Sequence, residues 1–222
     1  MKILHRAASA TGVRPAPVVL LDAILVAQNL GQQEGAAARS KFFDSLAGGG
    51  SPGRQWKLIY TAAPSALQGL RGKKNKDKRQ KEVPFLQGVV NTVSEALPWT
   101  WGLYVDAFVT AIQRFDAATF ENENGVFAVL GWDGVRFSVK GPFKWPQPEV
   151  RAVCAFQPTS TSVRVVGWEK VFSSEPGPVA FEDTQLTKLP FFKFVHVDDR
   201  VAVAIGRSGG AAVWARLDNG GN

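Results

Sequence analysis

The chain has 222 residues, of which 45% are hydrophobic, including 15 Phe and 7 Trp, enough for one sizeable core and a comfortable length for a single β-barrel or sandwich domain. No segment approaches the ~18 to 20 uninterrupted apolar residues that a membrane-crossing helix needs; the longest candidate, residues 17–30, is broken by Asp22, Gln28 and Asn29. A lone cysteine, Cys154, excludes an internal disulfide and a thiolate metal cluster.

The net charge is +7, and most of it sits in one place. Between residues 71 and 82, Arg71, Lys73, Lys74, Lys76, Lys78, Arg79 and Lys81 face only Asp77 and Glu82, so this segment carries +5 on an otherwise nearly neutral body. Residues 1–21 hold no acidic residue but include Lys2, Arg6, Ser9, Thr11 and Arg14. That pattern matches an organelle transit peptide, and a disordered arm is the other reading of residues 1–19; residues 20–222 read as one domain.

In chain order, Leu20, Leu21, Ile24, Leu25 and Ala27 recur at helical spacing and Gly31 ends the run, which predicts a helix over 20–31. A second short helix is predicted over 34–46, before Gly48-Gly49-Gly50. Residues 55–61 then alternate, with Trp56, Leu58 and Tyr60 on one side of a strand. After the basic segment and a Pro98-Trp99-Thr100-Trp101 knot, strands dominate from about Leu103. Val135, Phe137 and Val139 form one apolar face, and Val150, Ala152, Cys154 and Phe156 the next. Further strands are predicted over 162–172, 191–197, 201–205 and 211–217, the second and third joined by Asp198-Asp199. Short turns favour antiparallel pairing. The expected fold is mainly β, a closed antiparallel barrel of about eight strands with short N-terminal helices. Closure is favoured over a two-sheet sandwich because it leaves no apolar edge exposed.

Two stretches resemble a known family. Trp56-Lys57-Leu58-Ile59-Tyr60-Thr61, after a helix and a glycine-rich turn, resembles the strand that opens the plastid lipid-associated protein (fibrillin) domain. Val197-Asp198-Asp199-Arg200-Val201, Gly206 and Gly209-Gly210 resemble its closing hairpin, with Gln113-Arg114-Phe115-Asp116 and Val139-Lys140-Gly141-Pro142-Phe143 in the expected order between them. The closing strand departs from the family pattern, which places two arginines where this chain has Ala202 and Ile205, and the 71–82 insertion is outside it. The resemblance implies a lipocalin-like barrel in the chloroplast, at the thylakoid or plastoglobule surface. It also implies a ligand such as a prenylquinone, carotenoid or acyl lipid.

The residues give no catalytic constellation. His5 and His196 are the only histidines, nothing places Cys154 beside either, and nucleophilic catalysis needs nucleophile and base within hydrogen-bond reach. Cys154 reads as core, Asp198-Asp199 as a hairpin turn, and two histidines with one cysteine make poor zinc ligation. No enzyme, metal or resident cofactor is therefore expected. The inward residues Trp56, Leu58, Tyr60, Val135, Phe137, Val139, Val163, Val165, Val201 and Val203 are expected to line a pocket for a small hydrophobic molecule. The segment 71–82 carries no aromatic residue, which argues against nucleic acid, where bases stack on aromatics. It reads either as a plain solvated loop or, through Lys73, Lys74, Lys76, Lys78, Arg79 and Lys81 with Trp99 and Trp101 nearby, as a docking surface for an anionic membrane or a membrane complex. The alternative function is a filled barrel serving as an accessory subunit of a plastid membrane complex. Oligomeric state has no signature in the sequence.

Overall fold

The computed structural model describes residues 1–9, 12–33, 36–70, 102–145, 152–173 and 180–217. Four helices are described: α1 (Lys2–Ala8), α2 (Pro17–Gln33), α3 (Ala36–Ala47) and α4 (Pro64–Leu70). The strands are β1 (Arg54–Ala62), β2 (Leu103–Tyr104), β3 (Val109–Asp116), β4 (Glu121–Val129), β5 (Val135–Lys144), β6 (Val153–Phe156), β7 (Ser160–Val165), β8 (Trp168–Ser173), β9 (Phe191–Val197), β10 (Val201–Gly206) and β11 (Ala211–Leu217).

Eight strands close into an antiparallel ring in the order β1, β11, β10, β9, β6, β5, β4, β3 and back to β1. This is the closed barrel with short N-terminal helices that the strand pattern predicts, not a pair of stacked sheets. One hairpin lies off the ring. Strand β7 pairs with β5 from Val135 to Lys140 and carries β8 on its far edge, whereas β6 pairs with β5 at Phe143 and Lys144. Gly141 marks the changeover. A Cβ there would come within 1.8 Å of the Gln157 carbonyl oxygen, so only glycine lets the connection between β6 and β7 cross so close.

Which strand face is interior follows from which residues meet. Trp56, Phe115, Phe143, Phe156, Phe194, Ala202 and Trp214 come from seven different strands yet form one buried cluster, joined by Phe42 and Leu46 of α3. A second cluster draws on one side of the ring only: Ile59, Tyr60, Val195, Val201, Val203 and Val213 pack beneath Leu4 of α1, Leu20, Leu21 and Ile24 of α2, and Leu67 of α4. The first is the barrel lumen and the second is the outer wall under the helices. Strands β10 and β11 are thus covered on both faces, which is why Val201-Ala202-Val203-Ala204-Ile205 shows no polar alternation.

This arrangement corrects three expected lumen residues. Tyr60, Val201 and Val203 face outward, beneath the helices. In β1 a register shift between Leu58 and Tyr60 adds a residue and reverses the alternation beyond it. In β10 the alanines face the lumen, where large aromatics from other strands leave room for little else, and the valines face the helices.

Residues 2–8 are also not a loose arm. Leu4 and Ala7 are buried in the outer cluster. Arg14 makes a two-pronged ion pair with Asp106, at 2.6 and 2.7 Å, and its guanidinium lies 5.1 Å over the Tyr104 ring. The Tyr104 and Tyr60 hydroxyls donate to the carbonyls of Pro15 and Pro17. The helices predicted over 20–31 and 34–46 correspond to α2 and α3, and α1 and α4 have no counterpart in the sequence reading.

Candidate functional site

The two ends of the lumen differ. At one end, α3 closes the ring, and the Trp56 indole N–H donates to the Leu46 carbonyl at 2.7 Å. Aromatic rings fill the space beside it. Trp145 stacks on Phe194 with centroids 5.2 Å apart, Phe143 meets Phe115 edge-on at 5.7 Å, and Phe43 lies against Phe143 and Trp145.

Toward the other end the side chains shrink and a cavity of about 170 Å³ remains. Its walls are Leu58, Ala111, Val126, Phe156, Ala212 and Trp214, and its mouth is edged by Val105, Phe108, Pro190, Phe191 and Ser208. Mouth and strand ends coincide: Val109 opposes Val129, Ala62 opposes Ala211, and Gly206 opposes Phe192.

One strip of the wall is polar. Thr61, Gln113 and Asn124 line the cavity. Behind them the buried Asn122 accepts at Oδ1 from Gln113 Nε2 at 3.5 Å and from Asn124 Nδ2. The Asn122 Nδ2 group is buried with no partner among the described residues. Such a group costs about 1–3 kcal/mol. The site is therefore an apolar chamber with spare amide hydrogen-bonding capacity in one wall.

The sequence-predicted residues divide accordingly. Leu58 lines the cavity, and Trp56 lies deeper, in the packed base. Val139 is buried in β5. Phe137 instead borders a shallow depression with Arg136 and Arg164, and Val135 opposes Val165 on the β7 hairpin. Val163 and Val165 sit on that hairpin, outside the ring, because β7 pairs with the part of β5 that has already left β6. The basic segment 71–82, Trp99 and Trp101 lie outside the described residues. Gln113, Asn122 and Asn124 were not predicted. Their signal is faint: amides at alternate positions of Asn122-Glu123-Asn124 make β4 polar on both faces, the opposite of what a lumen-facing strand is expected to show.

Both histidines lie elsewhere, on one carboxylate. His5 Nε2 and His196 Nε2 donate to Asp198 Oδ2 at 2.6 and 2.9 Å, while Asp198 Oδ1 accepts from the backbone N–H groups of Arg200 and Val201. Burial alone would raise the Asp198 carboxyl, but these four hydrogen bonds outweigh it and hold the group well below the usual carboxylate range. The three ligand atoms lie within 4.8 Å of one another, so these are described residues able to hold a cation jointly. The double hydrogen bond accounts for the arrangement without one. Cys154 stays in the lumen cluster, where burial pushes its thiol up.

By fold and site the protein is a closed antiparallel barrel with a one-ended apolar chamber. Comparison with protein-family models, curated proteins and solved structures returns no match.

Proposed function

We propose that this is a non-catalytic carrier of a small hydrophobic molecule, a plastid lipid-associated protein that works at a thylakoid or plastoglobule surface. The observation that carries the carrier reading is the chamber, apolar on most sides, amide-lined on one, and open at one end. The plastid assignment is supported by the resemblance of the first and last barrel strands to that family.

Volume narrows the ligand. A cavity of about 150 Å³ holds a benzene ring, and pockets that enclose whole drug-sized ligands run to about 300–1,000 Å³. At about 170 Å³ the chamber takes one ring or the end of an acyl chain, with the remainder leaving through the mouth. This favours a prenylquinone head or an acyl lipid over an enclosed carotenoid. Each buried CH₂ contributes about 0.8 kcal/mol, and Gln113 or Asn124, which line the cavity, would donate to a carbonyl or hydroxyl on the ring.

The test is direct. Organic extraction of native protein should release a quinone or acyl lipid in near one-to-one amount. Extracts without such a molecule, from protein that co-migrates with a large membrane assembly, would refute the carrier reading in favour of a structural subunit.

A further inference from the structure

One five-residue pattern occurs twice, thirty-six positions apart, with Val, Gly and Trp shared and the other two positions similar: Val129-Leu130-Gly131-Trp132-Asp133 and Val165-Val166-Gly167-Trp168-Glu169. Each set makes the tip of a hairpin, β4–β5 and β7–β8. The turns match as well. Leu130 and Gly131 have φ of 52° and 77°, and Val166 and Gly167 have 37° and 81°. Two-residue turns of this left-handed kind ordinarily carry Asn, Asp or Gly at their first central position. A leucine and a β-branched valine there are backbone outliers that cost of order 1–3 kcal/mol each. Among the described residues nothing packed over them offsets that cost, since Leu130 is 75% exposed and Val166 71%, with Trp132 and Trp168 each 54% exposed.

The tips are neighbours. The Val166 N–H donates to the Gly134 carbonyl at 2.8 Å, and Val135 opposes Val165. The Trp132 ring lies over Gly134, where a Cβ would come within 2.3 Å of it. The first of the tips also adjoins the cavity mouth. The Leu130 N–H donates to the carbonyl of Phe108, a rim residue that is itself exposed. Behind them the charges are paired off, Asp133 with Arg136 and Glu169 with Arg164, leaving Lys170 as the excess cation of this group.

We infer that the twin tips form a membrane-insertion face that sets the barrel mouth-first on a lipid bilayer, with Leu130 and Val166 among the acyl chains. Trp132 and Trp168 then lie at the headgroup level, where an aromatic with one apolar and one polar end is favoured. A bilayer fits better than a protein partner for three reasons. The apolar groups stand on projecting turns, not in a groove or on a flat face. Asp133 and Glu169 are paired within the protein, so apart from Lys170 the tips present no charge that demands a complementary surface. The chamber opens at this end, where a lipid would pass. The inference rests on the carrier reading for its purpose, but its test is independent of whether the chamber is filled.

The test uses phosphatidylcholine vesicles without anionic lipid, so that attachment through the basic segment is not measured. Leu130→Asn and Val166→Asn relieve the left-handed strain, and each should stabilise the fold in urea. Each should also weaken vesicle partitioning about tenfold, as for the loss of one buried aliphatic side chain. Tryptophan emission should be quenched by brominated acyl chains in the native protein and not in Trp132→Ser/Trp168→Ser. Loading with a decyl-chain benzoquinone in solution should be unchanged in the tip variants; lost loading with intact vesicle binding would overturn the carrier reading alone. Vesicle binding unaltered by both Asn substitutions overturns the insertion face. So does a concentration-dependent dimer that those substitutions abolish, since the tips would then serve a second copy of the chain.

Discussion

Filling the chamber by one side chain tests whether it is hollow. Ala212 points into the lumen from β11, between Ala211 and Val213, which face the helices. Ala212→Leu adds three carbons to a space of about 170 Å³. At about 0.8 kcal/mol for each buried carbon this contributes about 2.4 kcal/mol, less about 0.5–1 kcal/mol for the lost rotamers of leucine. The variant should therefore be more stable by roughly 1.5 kcal/mol, a rise in melting temperature of about 3–6 °C for a chain of this size. Inserting the same atoms into a filled core would instead cost about 1–3 kcal/mol, so the two possibilities differ in sign. Urea denaturation with an unchanged slope reads the stability, and titration with a decyl-chain benzoquinone reads the occupancy, which should fall at least tenfold. A destabilised variant would refute the cavity. A stabilised variant that binds the quinone as before would show that the ligand sits elsewhere.

Other expectations concern the frame. Because the Asp198 carboxyl lies below its ordinary value of 3.8 in the folded chain, it contributes stability above that pH, and the contribution is lost as pH falls toward its folded value. Urea midpoints measured from pH 6 to 2 should show Asp198→Asn destabilised at the upper end and the gap to wild type closing below about pH 4; a constant gap would refute the linkage. Gly141→Ala should cost at least about 3 kcal/mol, because its Cβ would meet backbone and not a flexible side chain, and a urea midpoint near wild type would remove the reason given for the β6-to-β7 changeover. Cys154, buried with its thiol pushed up, should react with a thiol-specific disulfide reagent only at the rate of unfolding, as followed by absorbance, and prompt reaction would place it on an accessible surface.

The barrel was legible in the sequence because β5 keeps its alternation and short turns separate the later strands. The facing of individual residues was less so. Alternation is informative when one side of a strand meets water, and β10, covered by helices outside and aromatics inside, has no wet side. A bulge after Leu58 leaves no compositional mark, so Tyr60 was placed in the wrong layer. The amide strip failed for the opposite reason: Asn122 and Asn124 have the character of surface residues and reach the lumen only because β4 closes the ring between β3 and β5. The hairpin tips share a Val-x-Gly-Trp pattern that was not among the predicted features, and nothing in the pattern announces that the two copies come to lie side by side.

The plug formed by α3 has a kinetic consequence. A vessel sealed at its base admits a newcomer only after the resident has left, since both use the same opening. Exchange of anything held there should proceed at a rate set by departure alone, indifferent to how much competitor is supplied, and should quicken only when the receiving phase touches the rim.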